Sequence, residues 1–239
     1  MPYSQYAMKV ITHLLLDIEG TTCPVSFVAQ VLFPYAREKL GTFIANHSRD
    51  PGVKALLAEA AADMGPGPHS QSELIKHLEH LIDSDRKLPA LKELQGMIWE
   101  EGYAKGELQG PLFRDVQPAF QRWFSQGLTI AVYSSGSINA QQLLYQHSSE
   151  GDLRPLIKHW FDTRTGPKKE ESSYRAIAQE MGVISQRVLF ISDAKAELEA
   201  ASASGMNVLF SDREGNPEHD AGSFERISSY DKLALEAIP

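Results

Sequence analysis

Three short apolar runs, each followed by a carboxylate or hydroxyl residue, constrain the fold of this chain more than any other feature. They are residues 10–16 (VITHLLL), 128–133 (LTIAVY) and 188–191 (VLFI). Runs of this length and composition are typical of strands that are buried on both faces of a parallel sheet. A fourth strand is predicted at residues 208–210, and a helical pattern follows each run. This alternation predicts an α/β fold with a doubly wound, mostly parallel sheet.

Glycines close the helices predicted between these strands. Gly127, Gly182 and Gly205 each stand just after a helical pattern, where a helix C-terminus often needs a positive φ. The spacing of the apolar residues in the first of these helices predicts a single buried face. The residues assigned to that face are Val116, Phe120, Trp123 and Phe124.

A helical insertion separates the first predicted strand from the second. Between Thr22 and about Leu112 the chain shows helical periodicity and no convincing strand. Pro34 is predicted to start the second helix of the insertion, and Ser70 with Glu73 predicts a capping box at a later one. The first helical face is assigned to Val28, Val31, Leu32 and Tyr35. We therefore expect a core at residues 1–22 and 113–239 and a helical domain at 23–112.

Charge and cysteine content exclude several classes of protein. The chain has 239 residues, with 31 acidic and 23 basic side chains and a formal net charge of −8. A negative net charge opposes sequence-independent binding to nucleic acid or to an anionic membrane. The single cysteine, Cys23, cannot form an intramolecular disulfide, and the N-terminal apolar run is too short for a signal peptide or a membrane span. We expect a cytoplasmic protein that binds neither nucleic acid nor membrane.

Two acidic residues follow the first predicted strand, at the sheet edge where parallel α/β proteins bind ligands. They are Asp17 and Glu19, in the sequence DIEGTT. Such acids are often solvated turn residues or helix caps. Alternate residues of an extended turn can also aim one carboxylate at a reacting atom and the other at its leaving group, as a nucleophile and a general acid/base. This segment alone leaves both interpretations open.

Hydroxyl, cationic and acidic residues follow the later strands. Ser134 and Ser135 either cap the next helix or present hydroxyls and amides to an anion. Asp193 is either a helix cap or a carboxylate for Mg²⁺, which takes one or two carboxylates together with water and phosphate oxygens. Lys168, in the stiff loop TGPKK, is either a surface lysine or a fixed charge for phosphate. Together these residues describe Mg²⁺-assisted phosphoryl transfer through an aspartyl intermediate.

At these residues the sequence resembles the haloacid dehalogenase superfamily of phosphatases, whose ordered motifs match residues 17–21, Ser134, Lys168 and Asp193. Within it, the chain closely resembles the enolase-phosphatases of methionine salvage, also called acireductone synthases. The matching stretches are DIEGTTCPVSFVAQVLFPYA, YSSGS, FDTRTGPKKEESSYRAIA and LFISDA. The resemblance implies a haloacid dehalogenase-like, Rossmann-like catalytic core with an inserted α-helical cap domain.

The resemblance also implies a role for each matched residue. Asp17 attacks phosphorus and binds Mg²⁺, with one ion per subunit. Glu19 contributes to the metal site and is the candidate acid/base, and Asp193 completes the protein ligands. Lys168 binds substrate and stabilises the developing charge as a catalytic residue. The residues implied to bind the substrate are Ser134, Ser135 and Lys168.

The implied substrate is a small phosphorylated diketone, 2,3-diketo-5-methylthiopentyl-1-phosphate. Members of the family enolise it and then dephosphorylate the enol to the acireductone, and the resemblance favours a monomer. Two positions depart from the family pattern: a histidine is expected near Pro111, and the residues after Asp193 are less acidic than usual, which leaves open whether Glu197 supports the metal. Two alternatives are a single-step phosphatase of another phosphate ester and a catalytically inactive binding module.

Two further features are given ordinary structural interpretations. His77 and His80 are spaced as half of a transition-metal site, but we expect a pair on a helix surface. Cys23 lies beside the acidic turn, and we expect it to be a small buried hydrophobe, because no neighbouring base lowers the pKa of its thiol.

Overall fold

The computed structural model describes residues 11–84, 86 and 88–235. They form two compact units, one made of the described residues up to Val25 and from Gly110 onward, the other of residues 26–109. The bounds expected for the insertion from the sequence, 23 and 112, each lie three residues outside the second unit. Val10, with which the first strand was predicted to begin, lies outside the described residues.

A parallel sheet of six strands forms the centre of the first unit within the described residues, in the order β3-β2-β1-β4-β5-β6. The chain runs from β1 to β2 and β3 on one side and then returns to β4 and β5 on the other, so the strand order reverses between β1 and β4. This confirms the doubly wound parallel core. The strands are β1 (His13–Leu16), β2 (Thr129–Tyr133), β3 (Ile157–Phe161), β4 (Val188–Ser192), β5 (Asn207–Ser211) and β6 (Arg226–Ile227).

Helices fill the second unit and alternate with the strands of the first. A π-helical segment, Val28–Leu32, connects α1 to α2. The helices are α1 (Val25–Phe27), α2 (Phe33–His47), α3 (Pro51–Asp63), α4 (Gln71–Asp83), α5 (Pro89–Ala104), α6 (Val116–Ser125), α7 (Ile138–Gln146), α8 (Glu171–Glu180) and α9 (Lys195–Ala203). None of the helices described is both long and apolar enough to cross a membrane.

The central strands are buried on both faces, as their apolar sequences predict. Leu14, Leu15 and Leu16 of β1 are completely inaccessible to solvent. On one face, residues of the sheet pack with α8 and α9 in a continuous apolar core that includes Tyr174 and Leu198. This rigid core fixes where the strands end, and therefore where the loops that follow them begin.

Two edge strands could not be recognised in the sequence. In β3, Lys158 and His159 interrupt the apolar pattern, because an edge strand pairs on one side only and is partly exposed. β6 contains only two residues, which is too short to produce a periodic signal. The face predicted for α6 is also wrong at Phe124, which is 55% exposed at the end of the helix, whereas Val116 is buried.

The first helical face predicted in the second unit is partly wrong. Leu32 is buried, but Val31 is 41% exposed. The reason is the π-helical segment, in which the amide of Phe33 donates to the carbonyl of Val28. A π-turn holds more residues than the 3.6-residue turn of an α-helix, so the spacing behind the prediction does not apply there.

Other local predictions in the second unit are confirmed. Pro34 lies in the first turn of α2. Ser70 caps α4 through a capping box, in which its hydroxyl accepts from the amide of Glu73 at 3.3 Å and the Glu73 carboxylate accepts from the Ser70 amide at 2.8 Å. His77 on α4 lies 2.9 Å from a carboxylate oxygen of Asp63 on α3, so it links two helices.

Candidate active site

All six residues singled out from the sequence line one cavity of the first unit, with a volume of about 230 Å³. They follow the ends of β1, β2 and β4, except for Lys168, which lies in the loop after β3. The ends of parallel strands meet at one edge of the sheet, so residues distant in sequence come together there. The lining is Asp17, Glu19, Val25, Ser134, Ser135, Lys168, Asp193, Ala194, Glu197 and Pro217.

The turn after β1 requires a glycine at position 20. The amide of Gly20 donates to the carbonyl of Cys23 at 2.8 Å and closes the turn. Gly20 has φ +66°, and a Cβ atom there would lie 2.1 Å from Oδ2 of Asp193. The missing side chain lets the Asp193 carboxylate approach the backbone of the turn that carries Asp17.

Side chains from the end of β5 and from the segment after it bind the carbonyls of this turn. Ser211 Oγ and Asn216 Nδ2 donate to the carbonyl of Gly20 at 2.8 and 2.9 Å. The hydroxyl of Tyr230 donates to the carbonyl of Thr21 at 3.0 Å. The donors are buried, so these bonds fix the turn against the sheet edge.

A buried ion pair anchors the same turn. Nη1 of Arg213 lies 3.0 and 2.8 Å from the two carboxylate oxygens of Asp115, and both side chains are almost fully buried. The guanidinium sits between the rings of Phe113 and Tyr230, 4.7 and 4.4 Å from their centroids. Its Nη2 donates to the carbonyl of Thr21 at 3.3 Å. Burial acts to raise the pKa of Asp115, but the bonds from the Tyr230 amide and Arg213 hold it below its usual value.

Lys168 is the cation of the cavity. Its Nζ lies 2.7 Å from Oδ1 of Asp17 and 2.8 Å from Oε2 of Glu197, and its side chain is only 10% exposed. Burial alone would lower the pKa of Lys168, but the two carboxylates outweigh it and raise the pKa above its usual value. Ser192 Oγ lies 3.2 Å from Oδ2 of Asp17 and 3.0 Å from Oε2 of Glu197, so it bridges the same two acids.

The cavity carries more negative charge than Lys168 offsets. Burial, and then repulsion from Asp17, raise the pKa of Asp193 to about 7 and that of Glu197 to about 7. A bound divalent cation would relieve this repulsion. The available donors are oxygen atoms of carboxylates and hydroxyls, which suit a hard ion such as Mg²⁺.

Within the described residues, no three acidic, histidine or cysteine side chains are spaced to enclose an ion by themselves. A site for Mg²⁺ does not require such a cluster, because this ion keeps several waters and takes only one or two carboxylates together with phosphate oxygens. The cavity therefore fits Mg²⁺ better than a transition metal that needs a closed shell of protein ligands.

The structure decides between a cap and a cavity position for Ser134 and Asp193. Ser137 is the N-cap of α7, and its Oγ accepts from the Ala140 amide at 3.3 Å. Ser134 lies before this cap, where it is buried in the cavity lining. The N-cap of α9 is Ala194, so Asp193 is not the cap of that helix. Cys23 is fully buried, and burial raises the pKa of its thiol, which disfavours the thiolate form.

Glu197, which lines the cavity, and Ser192, which is hydrogen-bonded to two of the lining acids, make contacts that could not be predicted from the sequence. Glu197 follows Asp193 by four residues, in the first turn of α9, and its side chain reaches Lys168. An acid in the first turn of the helix that follows Asp193 is a usable signal, because that turn begins at the sheet edge where the other acids lie. Ser192 is the last residue of β4 and carries no comparable signal.

Comparisons with known proteins identify the family of the chain. The family model of haloacid dehalogenase-like hydrolases matches residues 11–205. The chain is 47% identical to enolase-phosphatase E1 of Synechococcus sp. (strain WH7803), over 95% of this chain and 100% of the relative. It is 51% identical to enolase-phosphatase E1 of Thioalkalivibrio sulfidiphilus, over 86% and 91% of the two chains.

Solved structures share the fold of the chain. The crystal structure of the UTR4 protein of Saccharomyces cerevisiae superposes with a TM-score of 0.81 at 33% identity, covering 93% of this chain and all of that one. A dehalogenase crystallised with an intermediate shares the fold, with a TM-score of 0.58 at 16% identity over 96% and 98% of the two chains. The chain therefore belongs to the haloacid dehalogenase-like hydrolases and, within them, to the enolase-phosphatase E1 family.

Proposed function

We propose that this chain is a bifunctional, Mg²⁺-dependent enolase-phosphatase of methionine salvage. It converts 2,3-diketo-5-methylthiopentyl-1-phosphate through its enol into 1,2-dihydroxy-3-keto-5-methylthiopentene and phosphate. The observation that carries the proposal is a cavity in which the carboxylate of Asp17 lies 2.7 Å from the ammonium of Lys168 and shares its lining with Asp193 and Ser134. Identity of about one half to enolase-phosphatase E1 relatives supports the choice of substrate.

In the phosphatase step, Asp17 is the nucleophile. One of its carboxylate oxygens attacks phosphorus, the bond between phosphorus and the enol oxygen breaks, and Glu19 gives the leaving oxygen a proton. Water then attacks phosphorus and gives a proton back to Glu19, and the bond between phosphorus and the Asp17 oxygen breaks, which releases phosphate and restores both carboxyl groups to their starting states. Lys168 and Ser192 hold that carboxylate in place at 2.7 and 3.2 Å. In the earlier enolase step, a proton moves from carbon to a carbonyl oxygen.

The phosphate group of the substrate requires hydrogen-bond donors and positive charge. Ser134 and Ser135 supply hydroxyls, and Lys168 supplies the ammonium that offsets charge developing on the phosphoryl oxygens. Asp17, Glu19 and Asp193 would hold one Mg²⁺ per subunit. When bound, the ion supplies Lewis-acid polarisation of the phosphate. The surplus of acidic groups in the cavity supports this assignment.

The remaining parts of the proposal concern the whole chain. The helical domain, residues 23–112, is assigned the role of a cap domain, and the catalytic core comprises residues 1–22 and 113–239. The enzyme is expected to act as a cytoplasmic monomer on this small phosphorylated diketone. Its acidic balance of −8 supports a small-molecule partner over nucleic acid or membrane.

Turnover of the diketo phosphate tests the proposal when enol absorbance and phosphate release are followed separately, with and without Mg²⁺. We expect both signals with Mg²⁺ and the loss of phosphate release after thorough chelation. Asp17→Asn should reduce phosphate release at least about 1,000-fold, because it removes the nucleophile. Asp152→Asn is the matched control, because Asp152 pairs with Arg154 on the surface.

Two outcomes would contradict the proposal. Phosphate release from other small esters, without enol formation from the diketo phosphate, would establish a single-step phosphatase instead. Binding of the diketo phosphate with neither signal would establish an inactive binding module.

A further inference from the structure

Three buried hydroxyl groups bind three successive carbonyls of the loop that carries Lys168. Tyr133 donates to the carbonyl of Gly166, Ser173 to that of Pro167, and Tyr174 to that of Lys168 itself, each at 2.7 Å. These are bonds from side chains to the backbone, and the donors lie in two other elements: Tyr133 in β2, and Ser173 and Tyr174 in the first turn of α8. The loop is thus held by side chains from two rigid elements.

The three donors have little freedom to move. Tyr133 and Tyr174 are fully buried and Ser173 is 2% exposed. The rings of Tyr133 and Tyr174 meet edge to face with centroids 5.7 Å apart, and Tyr174 packs on Phe190 of β4 at 5.1 Å. Packing of this kind restricts each ring to one orientation, so each hydroxyl points to a fixed place.

The loop also passes too close to Ser173 to follow another path easily. A Cβ atom on Gly166 would lie 2.2 Å from Oγ of Ser173. The ring of Pro167 restricts the backbone further. The hydroxyls therefore act on a chain segment with few alternative conformations.

The position of this backbone matters because of what the Lys168 side chain does. A lysine has four rotatable bonds, and holding its ammonium in one place is costly in entropy. The Lys168 ammonium lies between Asp17 and Glu197, and 5.6 Å from the ring centroid of Tyr133. A shift of the loop by about 1 Å would break contacts of 2.7 and 2.8 Å.

We propose that Tyr133, Ser173 and Tyr174 are positioning residues for Lys168, which hold its ammonium against Asp17 by fixing three carbonyls of its loop. They act through Lys168 and do not themselves touch the substrate. Their catalytic effect rests on the proposed function, whereas their effect on Lys168 does not depend on which phosphate ester the enzyme takes.

Kinetics on single-hydroxyl variants give the first test. Tyr174→Phe, Ser173→Ala and Tyr133→Phe each remove a hydroxyl and keep the shape of the residue. We expect kcat/KM for p-nitrophenyl phosphate, with Mg²⁺ present, to fall about tenfold in each. The matched control is Ser204→Ala, whose hydroxyl also donates to a carbonyl, that of Ala201 at the end of α9, and should leave the rate unchanged.

A background without the native lysine separates positioning from a general structural role. In Lys168→Arg, adding Tyr174→Phe should cause less than a twofold further loss, because the ammonium that it positions is already gone. If the two losses multiply, the hydroxyl acts on something other than Lys168, and the proposal is wrong.

Chemical modification gives a readout that needs no substrate. Reductive methylation followed by peptide mass spectrometry measures the access of reagent to each lysine. We expect slow methylation of Lys168 in the wild type and a rate at least about fivefold higher in Tyr174→Phe, while the exposed Lys105 reacts at the same rate in both. An unchanged rate at Lys168 in all three hydroxyl variants would overturn the proposal. If the enzyme does not turn over the diketo phosphate, only the proposed substrate is contradicted. The methylation rate of Lys168 still tests whether the three hydroxyls position that lysine.

Discussion

At the scale of single residues, the cavity disfavours the ionisation of two of its own acids when no cation is bound. Burial and the neighbouring Asp17 raise the pKa of both Asp193 and Glu197 to about 7. A carboxylate that is harder to ionise in the folded state than in the unfolded state costs stability as the pH rises from its usual pKa through its folded pKa. Stability is therefore sacrificed at the site where a cation is expected to bind.

The Asp193→Asn variant measures that cost. The folded pKa of Asp193 is raised, so its contribution to stability is full below its usual value and is lost as the pH rises through about 7. In the presence of a chelator at pH 8, we expect Asp193→Asn to melt a few degrees above the wild type, by about 2–4 °C for each kcal/mol recovered. The difference should disappear near pH 4.

Thermal melts between pH 4 and 8.5 check this expectation. The control is Asp152→Asn, because the bond from Arg154 lowers the pKa of Asp152 and its removal should bring no gain at pH 8. A metal-free Asp193→Asn protein that melts at or below the wild type at every pH would contradict the account. Saturating Mg²⁺ should stabilise the wild type and not the variant.

The site residues that come directly after a strand could be predicted from the sequence. Asp17, Ser134 and Asp193 come directly after recognisable buried strands, and their motifs carry the family resemblance. The partners of these residues were not predictable. The hydroxyl of Tyr133 and the carbonyl of Gly166 are 33 residues apart, and only the folded arrangement of β2 and its neighbouring loop brings them together.

At the scale of elements, the segment after β5 fixes the turn after β1. The central contact is the Asp115–Arg213 pair, which is 4–5% exposed and sits against two aromatic rings. Removing one member of a buried pair leaves the other charge without compensation, which is far more destabilising than losing a surface pair.

Arg213→Met should therefore lower the free energy of unfolding by about 3 kcal/mol or more. Urea unfolding at pH 7 measures the change. Arg154→Met is the matched control: Arg154 pairs with Asp152 at the surface, and its loss should cost no more than about 0.5 kcal/mol. Equal effects of the two substitutions would show that the Asp115–Arg213 pair does not anchor the turn.

Elements buried on both sides were predictable, and elements at the periphery were not. β1, β2 and β4 have continuous apolar sequences because neighbours cover them on every side. β3 is a partly exposed edge strand, and its lysine and histidine conceal it in the sequence. The π-helical segment Val28–Leu32 breaks the 3.6-residue period, which is why Val31 was assigned to the wrong face.

At the scale of the whole molecule, a chain with a net charge of −8 must attract an anionic substrate. Four acids and one lysine line the cavity, so its own side chains carry the wrong sign for a phosphate ester. Lys168 reverses the sign locally, and a bound Mg²⁺ would complete the reversal. The overall negative charge opposes nonspecific binding of polyanions, whereas the local positive charge at the site favours binding of a small phosphate.

The central claim is that Asp17 forms a covalent phosphoryl intermediate. The most direct measurement is rapid acid quenching during the first turnover of the diketo phosphate with Mg²⁺, followed by peptide mass spectrometry. The account predicts a phosphoryl group on the peptide that contains Asp17, at the position of Asp17, and none in Asp17→Asn. Wild-type enzyme that releases phosphate across the whole first turnover without any phosphoryl group on Asp17 would contradict it.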